Sequence, residues 1–169
     1  MESVGVEIER KYIIRKPDYE DLRASDKFTE SEILQIYLES ELGETRRVRA
    51  RTKNGVTTYT ETRKIRIDKI SATEIEREIE KTEFDALMAL VRAGSKPIKK
   101  TRYTFVFDGQ LFEIDVYPEW SHTAIMETEL ASRESVVKMP EFLHIIREVS
   151  GLKEYSNSAM ANRFPKEEY

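Results

Sequence analysis

Carboxylates and amines recur at every second position in Glu7-Ile8-Glu9-Arg10-Lys11, and this alternation is what most restricts the fold. Successive side chains of a strand point to opposite faces. Glu7, Glu9 and Lys11 therefore share one side, while Ile8, Tyr12 and Ile14 dominate the other. One such face alone is ordinarily just solvated. It gains weight when other segments repeat it.

They do. Asn54-Gly55 and Asp108-Gly109 are tight-turn signals between strand-like runs, and each predicts a hairpin. Around Asn54-Gly55, counting back pairs Lys53 with Val56, Arg51 with Thr58, Arg49 with Thr60, Arg47 with Thr62 and Thr45 with Lys64. Opposed residues lie on the same side of a sheet, so Arg47, Arg49, Arg51 and Lys64 share a surface. Around Asp108-Gly109 the count sets Glu113 opposite Thr104, Asp115 opposite Arg102 and Tyr117 opposite Lys100, with Tyr103, Phe105, Phe107, Phe112, Ile114 and Val116 behind. Glu74 and Glu76 alternate about Ile75, and Glu127 and Glu129 about Thr128.

The complete pattern predicts eight strands: Val4–Ile14, Glu32–Glu39, Glu44–Lys53, Val56–Ile67, Ile70–Ile79, Ile98–Phe107, Gln110–Tyr117 and Ile125–Ala131. Helices are predicted over Pro17–Ala24, from a Thr82 cap to Val91, from Pro140 to Val149, and from Ser156 to Phe164. Mainly antiparallel strands in one domain, residues 1–169, favour a closed barrel, because closure removes exposed edges. The class is α+β, mainly β: an eight-stranded antiparallel barrel with a few flanking helices. Ordinary small barrels fill their interior with apolar side chains. Here the apolar faces look outward for helical cover, and the charged faces are left for the lumen.

That lumen collects Glu7, Glu9, Glu74, Glu76, Glu113, Asp115, Glu127 and Glu129 against Lys11, Arg47, Arg49, Lys64, Lys100 and Arg102. Crowded carboxylates resist ionising together, and bound Mg²⁺ or Mn²⁺ relieves them as protein bases do. Phosphate oxygens would in turn satisfy bases left without acids.

Composition narrows the class. The net charge of −4 argues against a general polyanion-binding field and against nucleic acid as a partner. The absence of cysteine excludes disulfides, thiolate zinc sites and cysteine nucleophiles. Met1-Glu2-Ser3 opens into an acidic strand, and no apolar run approaches membrane-spanning length. A cytoplasmic protein without membrane association is the expectation, and a homodimer is left open. His122 and His144 read as surface residues, Trp120 as loop packing, Asn157 as a helix cap, and the methionines as packing.

The ordered motifs resemble the CYTH superfamily, the triphosphate tunnel metalloenzymes, over nearly the whole chain. They are Glu7-Ile8-Glu9-Arg10-Lys11, Tyr37-Leu38, Arg47-Val48-Arg49, Tyr59 to Lys64, Glu74-Ile75-Glu76, Lys99 to Tyr103, Phe112 to Asp115, Glu127-Thr128-Glu129 and Lys153 to Asn157. The resemblance implies a tunnel that binds a triphosphate and divalent metal. It assigns metal to Glu7, Glu9, Glu127 and Glu129, and phosphate oxygens to Lys11, Arg47, Arg49, Lys64, Lys100, Arg102 and Lys153. Glu74, Glu76, Glu113 and Asp115 would hold bases in place or complete a second metal site. Lys100 would position or deprotonate the attacking water, beside Arg102, Lys11 and Glu76 in catalysis. The implied reaction is hydrolysis of inorganic tripolyphosphate to pyrophosphate and phosphate. A class IV-type adenylate cyclase, a thiamine or nucleoside triphosphatase, and a non-catalytic polyphosphate binder would suit the same site.

Overall fold

The computed structural model describes residues 1–169. The chain runs β1 (Glu2–Arg15), α1 (Tyr19–Arg23), β2 (Asp26–Leu38), β3 (Glu44–Lys53), β4 (Val56–Arg66), β5 (Ser71–Ile79) and α2 (Lys81–Leu87). It continues through β6 (Ile98–Phe107), β7 (Gln110–Val116), β8 (Thr123–Glu129), β9 (Ile145–Glu148) and α3 (Asn157–Asn162). Every pairing is antiparallel, in the order β5-β4-β3-β2-β6-β7-β8-β1. The sheet closes through β1, which pairs β5 over Glu2–Ile8 and β8 over Glu9–Arg15. The result is the expected eight-stranded barrel plus one extra strand.

Both hairpin registers follow the sequence count, from Thr45↔Lys64 to Lys53↔Val56 and with Arg102↔Asp115 and Thr104↔Glu113. The turns demand it. Asn54 and Gly55 have φ of 51° and 76°, and Asp108 and Gly109 have 51° and 71°. Two consecutive left-handed residues make the tight turn that matches strand twist.

The third predicted helix is wrong. Residues 140–143 form a turn, and Ile145–Glu148 is strand β9, paired to Tyr12–Ile14 of β1. Once β1 has left β5, that edge needs a partner, and β-branched Ile145 and Ile146 suit a strand. Phe142 and Leu143 still pack on the outer core. The second predicted helix is shorter than expected: α2 starts at Lys81, Thr82 does not cap it, and Val91 bridges to Leu38. β2 begins at Asp26, well before Glu32.

Apolar packing lies mostly outside the barrel. One cluster gathers Phe105, Phe112, Ile114 and Met126 under Leu22 of α1, and another places Ile36, Leu38, Val48 and Ile79 against Phe84 of α2. The third is different. Ile13, Ile98, Tyr117 and Ile125 continue the charged rows of their strands and, with Tyr37 of the neutral β2 row, pack against Tyr155, Met160 and Ala161. The lumen is thus ionic along most of its length and apolar at one end, where the C-terminal segment seats.

Candidate active site

Within the barrel is a cavity of about 1030 Å³. Glu7, Glu9, Lys11, Arg47, Arg49, Lys64, Glu74, Glu76, Arg102, Glu113, Glu127 and Lys153 line it. Lys100 and Asp115 lie just behind this wall, fully buried. Glu129 is exposed at the rim, paired with Glu9. A second, more open cavity of about 480 Å³, lined by Glu39, Ser40, Glu41, Glu44, Arg46, Glu61, Arg63 and Leu90, gathers none of the predicted residues.

The bases fall into two groups. Arg102 donates Nε and Nη2 to the two oxygens of Asp115 at 2.7 and 2.8 Å, and Nη1 to Glu113 at 2.8 Å. Lys100 Nζ donates to Asp115 at 2.7 Å and to Asn157 Oδ1 at 3.4 Å. Lys64 Nζ bridges Glu7 at 2.9 Å and Glu74 at 3.4 Å. Lys11 Nζ sits 3.2 Å from Glu127 and donates to the Tyr155 carbonyl at 3.0 Å. These four bases each face a carboxylate.

The β3 arginines do not. Arg49 donates to Gln35 Oε1 through Nε at 3.1 Å and Nη2 at 2.7 Å, and Arg51 donates to Ser31 Oγ at 3.1 Å. Arg47 Nε has no partner, the one buried side-chain polar atom left unpaired. A buried donor without an acceptor costs free energy, and an incoming anion removes that cost.

Proton affinities follow the same division. Burial, reinforced by the charge of Glu127, pushes Glu9 up to about 7. Burial works against ionised Glu127 too, but Lys11 and Arg102 prevail and hold it at about 2. Arg102 and Lys100 likewise overcome burial to hold Asp115 well below the usual carboxylate range. Burial, with Arg102 and Arg49 nearby, pushes Lys100 down to about 7 against the pull of Asp115. Burial and then Arg47 and Arg102 lower Arg49 to about 9.

No three carboxylates are gathered at metal-ligand spacing. The donor set still fits a hard divalent cation, because magnesium takes one or two carboxylates and completes its shell with water and phosphate oxygens. Glu9 and Glu127, which disfavour each other's ionisation, are the pair a cation would relieve.

Several residues on this wall escaped sequence reasoning. Ser31, Gln35 and Tyr37 face the β3 arginines from β2. Gln35 is fully buried and stands opposite Arg49, a pairing that no tight-turn dipeptide marks in the sequence. Asn157 is not the helix cap, which is Ser156; its Oδ1 accepts from Tyr117 at 2.8 Å as well as from Lys100.

No family model matches the chain. Over 157 residues it is 31% identical to the inorganic triphosphatase of Acetivibrio thermocellus, which spans 92% of each protein. The chain belongs to the CYTH, or triphosphate tunnel, family. A solved family member, the inorganic triphosphatase NE1496, is 28% identical with a TM-score of 0.60, covering 95% of this chain and 97% of that one. The PH1819 protein of Pyrococcus horikoshii is 26% identical with a TM-score of 0.57, over 75% and 80% of the two chains.

Proposed function

We propose that this CYTH protein is a divalent-metal-dependent triphosphatase that hydrolyses inorganic tripolyphosphate to pyrophosphate and phosphate. The observation that carries the reading is the division of the wall: acid-held bases on one side, acid-free Arg47 and Arg49 on the other. A polyanion is the ligand that satisfies both. The named inorganic triphosphatase relatives support the same reading. Only Tyr37 among the lining residues is aromatic, so the cavity offers little for a purine, and inorganic substrate is favoured over ATP.

Arg47 and Arg49 grip phosphate oxygens, and Lys11, Lys64, Arg102 and Lys153 complete the cationic surround. Glu7, Glu9, Glu127 and Glu129 would hold Mg²⁺ or Mn²⁺, which would supply positive charge to the phosphate and make a nearby water more acidic. Glu76, fixed by Thr62 Oγ1 at 2.8 Å, accepts from and orients the attacking water. Water oxygen bonds to the terminal phosphorus, the bridging P–O bond breaks, and pyrophosphate leaves as Arg102 and Lys11 offset the charge on its oxygens. Lys100 does not reach the cavity wall. It acts through Asp115, holding the carboxylate that orients Arg102. Glu74 and Glu113 hold Lys64 and Arg102.

Purified protein with tripolyphosphate and Mg²⁺ or Mn²⁺ is expected to release phosphate and pyrophosphate in equal amounts, with EDTA stopping the reaction. Binding without product, or cyclic nucleotide from ATP, would overturn the reading.

Glu9 gives the metal-free protein a pH signature. Its carboxyl takes up a proton near pH 7 when folded but near 4.5 when unfolded. Between those values the folded state holds the extra proton, so stability falls as pH rises. The effect is about 3 kcal/mol. Thermal melts of Glu9→Gln in EDTA should lose this slope between pH 4.5 and 7. An unchanged slope would place the titration elsewhere.

A further inference from the structure

We propose that Gln35 is a positioning residue that keeps Arg49 free of any counterion, so that the phosphate-binding wall retains its full charge until substrate arrives. The inference rests on the triphosphatase reading of the cavity and assigns a role to a residue outside the charged motifs.

The geometry is closed on every side. Gln35 is fully buried and stands opposite Arg49 on β3 and Ile98 on β6. Its Oε1 accepts both Arg49 bonds, while its Nε2 donates to the Tyr37 hydroxyl at 3.1 Å. The amide is therefore fixed in orientation, and so is the guanidinium. An uncharged acceptor orients Arg49 without neutralising it. Elsewhere in the lumen the same work is done by carboxylates: Asp115 and Glu113 on Arg102, Glu127 on Lys11, and Glu7 on Lys64. The neighbours of Arg49 follow its pattern, with Arg51 on Ser31 Oγ and Arg47 Nε unpaired. β2 thus presents neutral polar groups to the arginines of β3.

Holding like charges together without acids costs stability, and burial makes the cost larger. The chain could remove that cost with one isosteric change. Gln35→Glu keeps the volume, accepts both Arg49 bonds, and accepts a third from the Tyr37 hydroxyl. It leaves no polar atom unsatisfied and gives Arg49 a partner. The expected consequences have opposite signs. The melting temperature rises, because a buried cation gains its counterion. Affinity for tripolyphosphate in EDTA, read by calorimetry, falls about 10- to 100-fold, the range for losing a charge-assisted interaction. In steady-state hydrolysis with Mg²⁺ the loss appears mainly as a higher KM, with kcat changed less. Gln35→Met, which keeps the volume but offers no oxygen, weakens binding and lowers the melting temperature.

Wild-type protein is measured first, because absence of tripolyphosphate binding there would refute the triphosphatase reading itself. Given wild-type binding, a Gln35→Glu protein with unchanged affinity overturns the positioning role. Weaker binding with a lower melting temperature, or failure to fold, also overturns it, since those results describe damaged packing. A higher melting temperature with weaker binding supports it.

Discussion

Arg102→Ala is expected to abolish turnover and to destabilise the fold in the same stroke. The guanidinium makes three short bonds to Asp115 and Glu113, and both Arg102 and Asp115 are buried. Without Arg102, Asp115 keeps only Lys100 as a charged partner. Stranding a buried charge in this way costs about 3–5 kcal/mol, which is on the order of 10 °C in melting temperature for a chain of this size. The rate effect is larger. An arginine that stabilises charge during phosphoryl transfer contributes about 10³-fold or more. The two losses separate in the triple variant Lys100→Met/Arg102→Met/Asp115→Asn, which removes the buried carboxylate together with both of its bases. Stability should largely return while turnover does not. Recovery of tripolyphosphate hydrolysis in that variant would show that Arg102 acts only as scaffold.

Arg47→Met should divide the same quantities in another way. Arg47 Nε is buried and unpaired, and only the Tyr37 hydroxyl and the charge of Glu74 favour the guanidinium, so its removal relieves the cost of an orphaned donor and breaks no close ion pair. Thermal melts should show no loss of stability, or a gain. Tripolyphosphate affinity should fall about 100-fold, because two or more charged hydrogen bonds of about 1.5 kcal/mol each are lost. A site that binds anions is expected to gain stability when its binding groups are deleted. Unchanged affinity with a lower melting temperature would assign Arg47 to the architecture.

Much of the site was legible because strand geometry is arithmetic. Two tight-turn dipeptides set the registers of Arg47, Arg49 and Lys64 and of Arg102 and Asp115, and every such pairing holds. Charges at alternate positions with aromatic and β-branched residues behind them can close only with the charges inside. The helix expected at residues 140–149 failed for a complementary reason. Phe142, Leu143, Ile145, Ile146 and Val149 suit a helix face as well as a strand, and the choice was made by an edge of β1 that exists only after β1 has left β5. The plugged end was hidden likewise. Ile13, Ile98 and Ile125 continue charged rows, and nothing local marks where ionic becomes apolar.

By itself, then, the order of residues determined which charges share a surface, because alternation along a strand and pairing across a tight turn are local rules. Tertiary structure alone decided which bases are left without an acid. Arg102 finds Asp115 across a hairpin, but Arg49 meets neutral Gln35 because β2 happens to lie beside β3 in the closed barrel. Whether a buried charge is answered depends on neighbours brought together by closure, and that is the difference between a wall that is merely ionic and one that awaits an anion.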